Sequence, residues 1–357
     1  MAESVDFELQ AGDTRVEEIL EPALAPVPSP VPSPVPAPVP APVPAPESGR
    51  IGLTGLTDRT GLGGAPAPVR PWLRQAGDYA RLMRLDRPIG IWLLLWPTLW
   101  ALWIASAGHP RPRLLVIFAA GSVLMRSAGC VINDLLDRNI DPHVRRTRDR
   151  PLAARRLAPV QALVLFAVLV AGAFLLVLQL NAATVRLSII GALLTLSYPL
   201  LKRFFPLPQL YLGLSFGWAV PMAFAAELGA VPRVGWVMML AAVMWAGVYD
   251  TYYAMADRAD DLRVGVKSSA ITFGDLDLLM IGAMQAMVLL ALLFTGRLLD
   301  LGAPYYSALV VAAGCFVRQQ WLARKRDAAG CMRAFHDNHY FGFVVLAGII
   351  VEYASRR

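Results

Sequence analysis

Cysteine is scarce in this chain: Cys130, Cys315 and Cys331 are the only three among 357 residues, and none stands in C-x-x-C spacing. That excludes a disulfide framework and a thiolate metal site, and leaves the three as small buried apolar side chains. Histidine, with 4 copies, forms no cluster with them. The N-terminal region lacks the apolar core of a signal peptide. Residues 1–22 carry Glu3, Asp6, Glu8, Asp13, Glu17, Glu18 and Glu21 against a single Arg15, the wrong sign for a mitochondrial transit peptide.

Apolar residues, by contrast, make up 56% of the chain, and mean hydropathy is +0.51. Soluble domains sit nearer to about 45–50%, so a membrane protein is expected. Nine apolar segments are long enough to span about 30 Å of hydrocarbon. They lie near 88–106, 113–132, 160–180, 183–200, 207–226, 234–256, 278–298, 303–321 and 338–354. Each must satisfy its own backbone polar groups, which makes the segments helical. The predicted fold class is an all-α membrane protein, a bundle of nine transmembrane helices.

A net charge of +7 raises the prospect of nucleic acid, but its distribution argues against such a partner. Basic residues gather in alternate loops: Arg145, Arg146, Arg148, Arg150, Arg155 and Arg156 after the second segment, then Lys202 and Arg203 after the fourth. Arg258, Arg263 and Lys267 follow the sixth, and Arg324, Lys325, Arg326 and Arg333 the eighth. The opposite loops hold Arg111, Arg113, Arg233 and Arg297. By the positive-inside rule the N-terminus and the richer loops face the cytoplasm. With no organelle signal, the expected location is a bacterial inner membrane.

From Pro26 to Pro46 every second residue is proline. Proline fixes φ and removes the amide donor, so the repeat reads as an extended spacer reaching some ~65 Å. Residues 47–70 are Gly- and Thr-rich. We therefore expect an acidic, proline-rich solvated tail over 1–70 and a membrane domain over 71–357.

Two acid-rich stretches sit at the ends of apolar segments: NDLLDRNID at 133–141 and DTYYAMADRADD at 250–261. Carboxylates at a membrane boundary are costly unless a cation holds them. Asn133, Asp137 and Asp141 recur every four residues, and Asp250, Asp257 and Asp261 at seven and four, so each set shares one face of a helix. Asp134 and Asp260 are rotated by roughly 60° from Asp137 and Asp257 and read as partners of loop amides or arginines. Pro142 is expected to stop the first helix. Asp250 sits two turns deeper, and two roles stay open: orienting a ligand, or a polar core residue. Both motifs fall on the same side of the membrane, where so many acids repel one another unless a cation binds. Hard oxygens without Cys or His indicate Mg²⁺, which keeps waters and bridges to phosphates. Basic neighbours complete a phosphate site: Arg138 inside the first motif, Lys267 beyond the second, and Tyr198 with Lys202 on one face beside Arg203.

These stretches resemble the UbiA superfamily of intramembrane prenyltransferases, and within it the branch acting on 4-hydroxybenzoate in ubiquinone biosynthesis. The resemblance runs from about Trp72 to the C-terminus. RLMRLDRPIGIWLLLWPTLWAL at 81–102, GCVINDLLDRNIDPHVRRTRDRPL at 129–152, YPLLKR at 198–203 and YDTYYAMADRADDLRVGVKSSAITFG at 249–274 carry it. It implies a helical bundle around a central cavity with a cytosolic cap and a lateral opening for a lipid tail. It implies a first metal–diphosphate motif at Asn133, Asp137 and Asp141 and a second at Asp257 and Asp261. Tyr198 and Lys202 match a diphosphate-associated Y-x-x-x-K element, and Arg203, with Arg84 and Arg87 behind it, matches the contact for an aromatic carboxylate. Ala259 departs from the pattern, standing where relatives often carry another acid; the D-x-x-x-D is intact.

The implied activity is Mg²⁺-dependent transfer of an all-trans polyprenyl group from its diphosphate to 4-hydroxybenzoate. Asp137, Asp141, Asp257 and Asp261 are the expected metal ligands, while Asn133, Arg138, Tyr198, Lys202, Arg203 and Lys267 are expected on the substrate. Membrane lipid surrounds the domain. The rival readings are a sibling enzyme with another acceptor, such as homogentisate or a naphthoate, and a cation-coupled transporter. Against the transporter, the acids cluster at one membrane face and not at mid-span.

Overall fold

A computed structural model describes residues 71–143, 147–201, 205, 207–265 and 267–356. The expected tail over 1–70 therefore lies outside the described residues, as do Arg145, Arg146, Lys202 and Arg203. Every regular element among the described residues is helical. In chain order they are α1 (Pro71–Leu82), α2 (Ile89–Ala105), α3 (Pro112–Leu136), α4 (Pro159–Val177), α5 (Ala182–Leu201), α6 (Pro208–Gly217) and α7 (Ala219–Leu228). There follow α8 (Arg233–Val264), α9 (Ser269–Phe273), α10 (Asp277–Leu298), α11 (Ala303–Ala323) and α12 (Ala328–Ser355). Six stretches combine the length and hydropathy needed to cross a membrane: Pro112–Leu136, Pro159–Val177, Ala182–Leu201, Arg233–Arg263, Ser269–Leu298 and Ala328–Ser355.

The segment expected over 207–226 is divided into α6 and α7 at Trp218. Pro221 has no N–H to offer the carbonyl of Gly217, four residues back, which favours a break there. Trp218 at the break donates from Nε1 to the Leu187 carbonyl at 2.8 Å. The first acid-bearing helix also ends earlier than Pro142 alone requires. Leu136 is the last residue of α3 and Asp137 its cap, with Asp141 in a separate 3-10 turn over Asp141–His143. The second runs the other way: α8 continues past its apolar part to Val264 and stops at Gly265, whose φ of 73° suits glycine.

The core is aromatic. Trp100 stacks on Trp245 at 5.3 Å, and Phe316 on Phe341 at 4.1 Å. Buried indole N–H groups find partners, Trp100 on the Gly342 carbonyl at 3.0 Å and Trp245 on Asn338 Oδ1 at 2.8 Å. These contacts join α2, α8, α11 and α12. Helices α11 and α12 approach so closely that a Cβ at Gly348 would overlap Ala308, the small-residue packing common between membrane helices. At the other flank, α4 and α5 expose Val160, Val168, Leu175, Ile189 and Leu193. In water that apolar surface would be a liability; in lipid it is the solvated face.

Candidate active site

One cavity of about 1180 Å³ runs through the bundle. At one end its wall includes Asn133, Asp137, Asp141, Asp257, Asp261 and Lys267. Further in, it reaches Phe118, nineteen residues before Asp137 on α3, a distance of roughly 28 Å along a helix axis. A polar, acidic mouth thus opens into a cavity that, mouth included, reaches about as far as a membrane is thick and is lined further in by Ile117, Phe118, Phe174 and Leu180.

The mouth is assembled from helix ends. Asn133 lies in the last turn of α3, Asp137 caps it, and the Asp137 amide donates to the Asn133 carbonyl at 2.9 Å. Asp257 and Asp261 occupy the last two turns of α8, in helical register one turn apart. Asp250 and Tyr198 also line the cavity, which places Asp250 at the cavity and not in a closed core.

Asp141 and Asp134 are held by arginines. Arg150 Nη1 lies 2.9 Å from Asp141 Oδ2 and 3.0 Å from Asp134 Oδ1. Arg84 Nη2 reaches both oxygens of Asp134 at 2.9 Å. Asp134 therefore has the arginine partnership its helical phase predicts, while Asp141 is tied to a cation of its own loop. Burial pushes the Asp141 carboxyl up, against the opposing pull of Arg150. Arg84 adopts a φ of 59°, a strained conformation for a non-glycine residue that the ion pair helps to hold. Its fork is committed to Asp134 and not turned to an aromatic carboxylate. Asp134→Asn is expected to lower stability by about 1–2 kcal/mol, since charged hydrogen bonds on a side chain 1% exposed are removed while both arginines keep partial access to solvent. Chemical denaturation in detergent checks this; an unchanged midpoint would show the cluster to be ornamental.

Arg138 does not join the site. Its Nη1 donates to the Leu135 carbonyl at 2.9 Å, its side chain is exposed, and it is absent from the cavity wall. As the residue after a helix cap, it turns outward while Asp137 turns in. Lys202 and Arg203, also expected on the substrate, lie outside the described residues.

The comparisons with known proteins agree on one lineage. Residues 94–345 match the UbiA prenyltransferase family. The chain belongs to that family. Among its relatives, a 4-hydroxybenzoate octaprenyltransferase from Nitrosococcus oceani is 56% identical over 277 residues, 78% of this chain and 97% of that protein. One of the same name from Ectopseudomonas mendocina is 52% identical over 282 residues, 79% of this chain and 95% of that one. Among solved structures, the apo UbiA homolog from Aeropyrum pernix K1 has a TM-score of 0.64 at 27% identity, covering 73% of this chain and 97% of that one. A UbiA homolog from Archaeoglobus fulgidus, bound to GPP and Mg²⁺, shares the fold with a TM-score of 0.58 at 16% identity, covering 75% of this chain and 99% of that one.

Two features of this UbiA chain bear on what it binds. Among the described residues, no three His, Cys, Asp or Glu side chains are already gathered into a closed metal cage. The mouth offers carboxylate oxygens from separate helices, which suits Mg²⁺ with its retained waters and substrate phosphates and does not suit a metal that demands a full protein cage. The second feature is Arg126 on α3. It lines the cavity, sits with its guanidinium against Gly90 and 5.5 Å from the Phe216 ring centroid, and has a buried Nε without a hydrogen-bond partner among the described residues. Its electrostatic neighbours are Cys130, Tyr249, Asp250 and Tyr253. The spacing of the acids does not single out Arg126. A signal was nonetheless present in the sequence: a lone cation in an apolar run, seven residues before Asn133 and hence on the same helix face.

Proposed function

We propose that this protein transfers a polyprenyl group from polyprenyl diphosphate to 4-hydroxybenzoate, giving 3-polyprenyl-4-hydroxybenzoate for ubiquinone biosynthesis. The observation that carries the reading is one continuous cavity, acidic at its mouth and lined by apolar side chains further in, with the half-buried Arg126 between. The mouth suits a metal-bound diphosphate and the tube an isoprenoid tail. Relatives more than half identical over almost their full length bear the name of this activity.

In this reading nine spans enclose the cavity: the six self-sufficient ones, α2, the broken α6–α7 pair, and α11. The acidic mouth and its loops face the cytoplasm of a bacterial inner membrane, supported by Arg138, Arg148, Arg155, Arg156, Arg263 and Lys325 at that end.

Asp137, Asp257 and Asp261 would hold Mg²⁺, with Asp141 joining them in exchange for its Arg150 contact, and Asn133 would support them. When bound, Mg²⁺ supplies positive charge that neutralises the diphosphate and makes it a leaving group. Lys267, together with Tyr198 and, four residues after it in sequence, Lys202, adds counter-charge and hydrogen bonding to the phosphates. The carbon–oxygen bond to diphosphate breaks with its electron pair leaving on oxygen, and an allylic cation remains. Tyr249, Tyr253 and Phe216 line the same cavity, exclude water and present π faces to that cation. Arg126 holds the acceptor's carboxylate, which aims the ring carbon ortho to the hydroxyl at the cation. That carbon bonds, and its proton leaves to a base supplied by the released diphosphate or a side chain.

The test is direct. Purified protein with Mg²⁺, a polyprenyl diphosphate and labelled 4-hydroxybenzoate is expected to form the 3-polyprenyl product, and EDTA to abolish it. Absence of product beside an active control, or undiminished product in EDTA, would overturn the proposal.

A further inference from the structure

The second acidic motif carries a cation in its own midst. Arg258 directly follows Asp257 and precedes Asp261 by three residues on α8, the spacing at which oppositely charged side chains pair across a helix surface. A guanidinium laid over Asp261 would consume its carboxylate. Arg258 instead points elsewhere: its Nη1 lies 3.7 Å from Asp277 Oδ2, and it does not line the cavity.

Asp277 is the first residue of α10 and is fully buried, at 0% exposure. Its Oδ1 accepts from the Leu278 amide at 2.6 Å and from Arg326 Nε at 2.9 Å. Arg326, between α11 and α12, is anchored in turn through Nη2 to the Asp275 carbonyl at 2.8 Å. The carboxylate is therefore fixed by one oxygen, and the other, without a hydrogen-bond partner among the described residues, is left to face Arg258. A helix N-terminus favours the negative charge held there.

We infer that Asp277 is a positioning residue for the second acidic motif: it draws Arg258 aside and so keeps that guanidinium off the carboxylate of Asp261. The inference rests on the metal–diphosphate role proposed for those two aspartates. Its consequence is specific. Removing the Asp277 charge releases Arg258 onto Asp261, and removing Arg258 as well undoes the damage.

Mn²⁺ binding to the full-length protein in detergent with inorganic diphosphate, followed by electron paramagnetic resonance of free Mn²⁺, reads this without turnover. Asp277→Asn is expected to weaken binding about fivefold, the effect of one partly screened charge brought close. Asp277→Asn with Arg258→Gln is expected to return to within about twofold of the parent. Asp277→Ser, which keeps a capping oxygen for α10, provides the same comparison should the asparagine variant fail to fold. Unaltered binding in the single variants, or a double variant no better than the single, overturns the inference. Asp257→Ala and Asp261→Ala serve as references: if both bind Mn²⁺ as the parent does, the proposed metal role is what fails.

Discussion

Asp137→Ala and Asp257→Ala are each expected to lower turnover by at least ~10²-fold, the scale seen when a group that stabilises developing charge is removed. The two residues approach the mouth from different helices, one capping α3 and the other in the penultimate turn of α8. If the proposed metal role holds, loss of either would leave an Mg²⁺ ion with ligands from one helix end only. The same substitutions should not weaken the fold. Each removes one side chain at a helix end, so in the absence of divalent cation the variant is expected to stay folded, with a cooperative melting transition. Neither touches the Arg84–Asp134–Arg150 cluster that ties the loops together. Initial rates at saturating substrates, paired with melting curves in EDTA, separate a functional loss from a structural one. An unchanged rate would reduce the residue to an interfacial charge.

What was readable in the sequence divides along a physical line. Hydropathy reports a property of single segments, so the membrane class and the apolar runs were legible residue by residue. Periodicity reports which residues share a face of one helix, so Asp257 and Asp261 on α8 fell where expected. Neither signal reports which helix ends abut. The grip of Arg84 on Asp134 spans fifty residues and is set by how the turn after α1 meets the end of α3. Asp141 shows the same limit: four-residue spacing placed it on a helix, yet α3 ends at Leu136 and Asp141 is tied to Arg150 of its own loop. Arg138 looked equivalent to its neighbours in charge and position, but one residue of rotation past the cap put it outside. The break at Trp218 is not legible in Pro221 alone, because Pro97 and Pro199 lie inside α2 and α5 without dividing them.

Arg126→Ala is expected to raise KM for 4-hydroxybenzoate by about 10²-fold, the scale of removing one charge-assisted hydrogen bond from a buried site, with a smaller change in KM for the polyprenyl diphosphate. The asymmetry follows from placement. Arg126 lies two helical turns from Asn133 along α3, away from the acidic mouth and beside Phe216, Tyr249 and Tyr253. At that depth a guanidinium can meet an aromatic acid without competing with Lys267 for the phosphates. Specificity gives the sharper readout. The parent should reject 4-hydroxybenzamide, because a neutral acceptor would offer no carboxylate to the guanidinium, whose buried Nε has no hydrogen-bond partner among the described residues. Arg126→Ala should take the amide and the acid at similar rates. Arg126→Lys should fall between, since an ammonium keeps the charge without the planar fork. If Arg126→Ala kept the parent's preference for the acid, the carboxylate would have to be held elsewhere on the cavity wall, with Arg87 the next side chain to test.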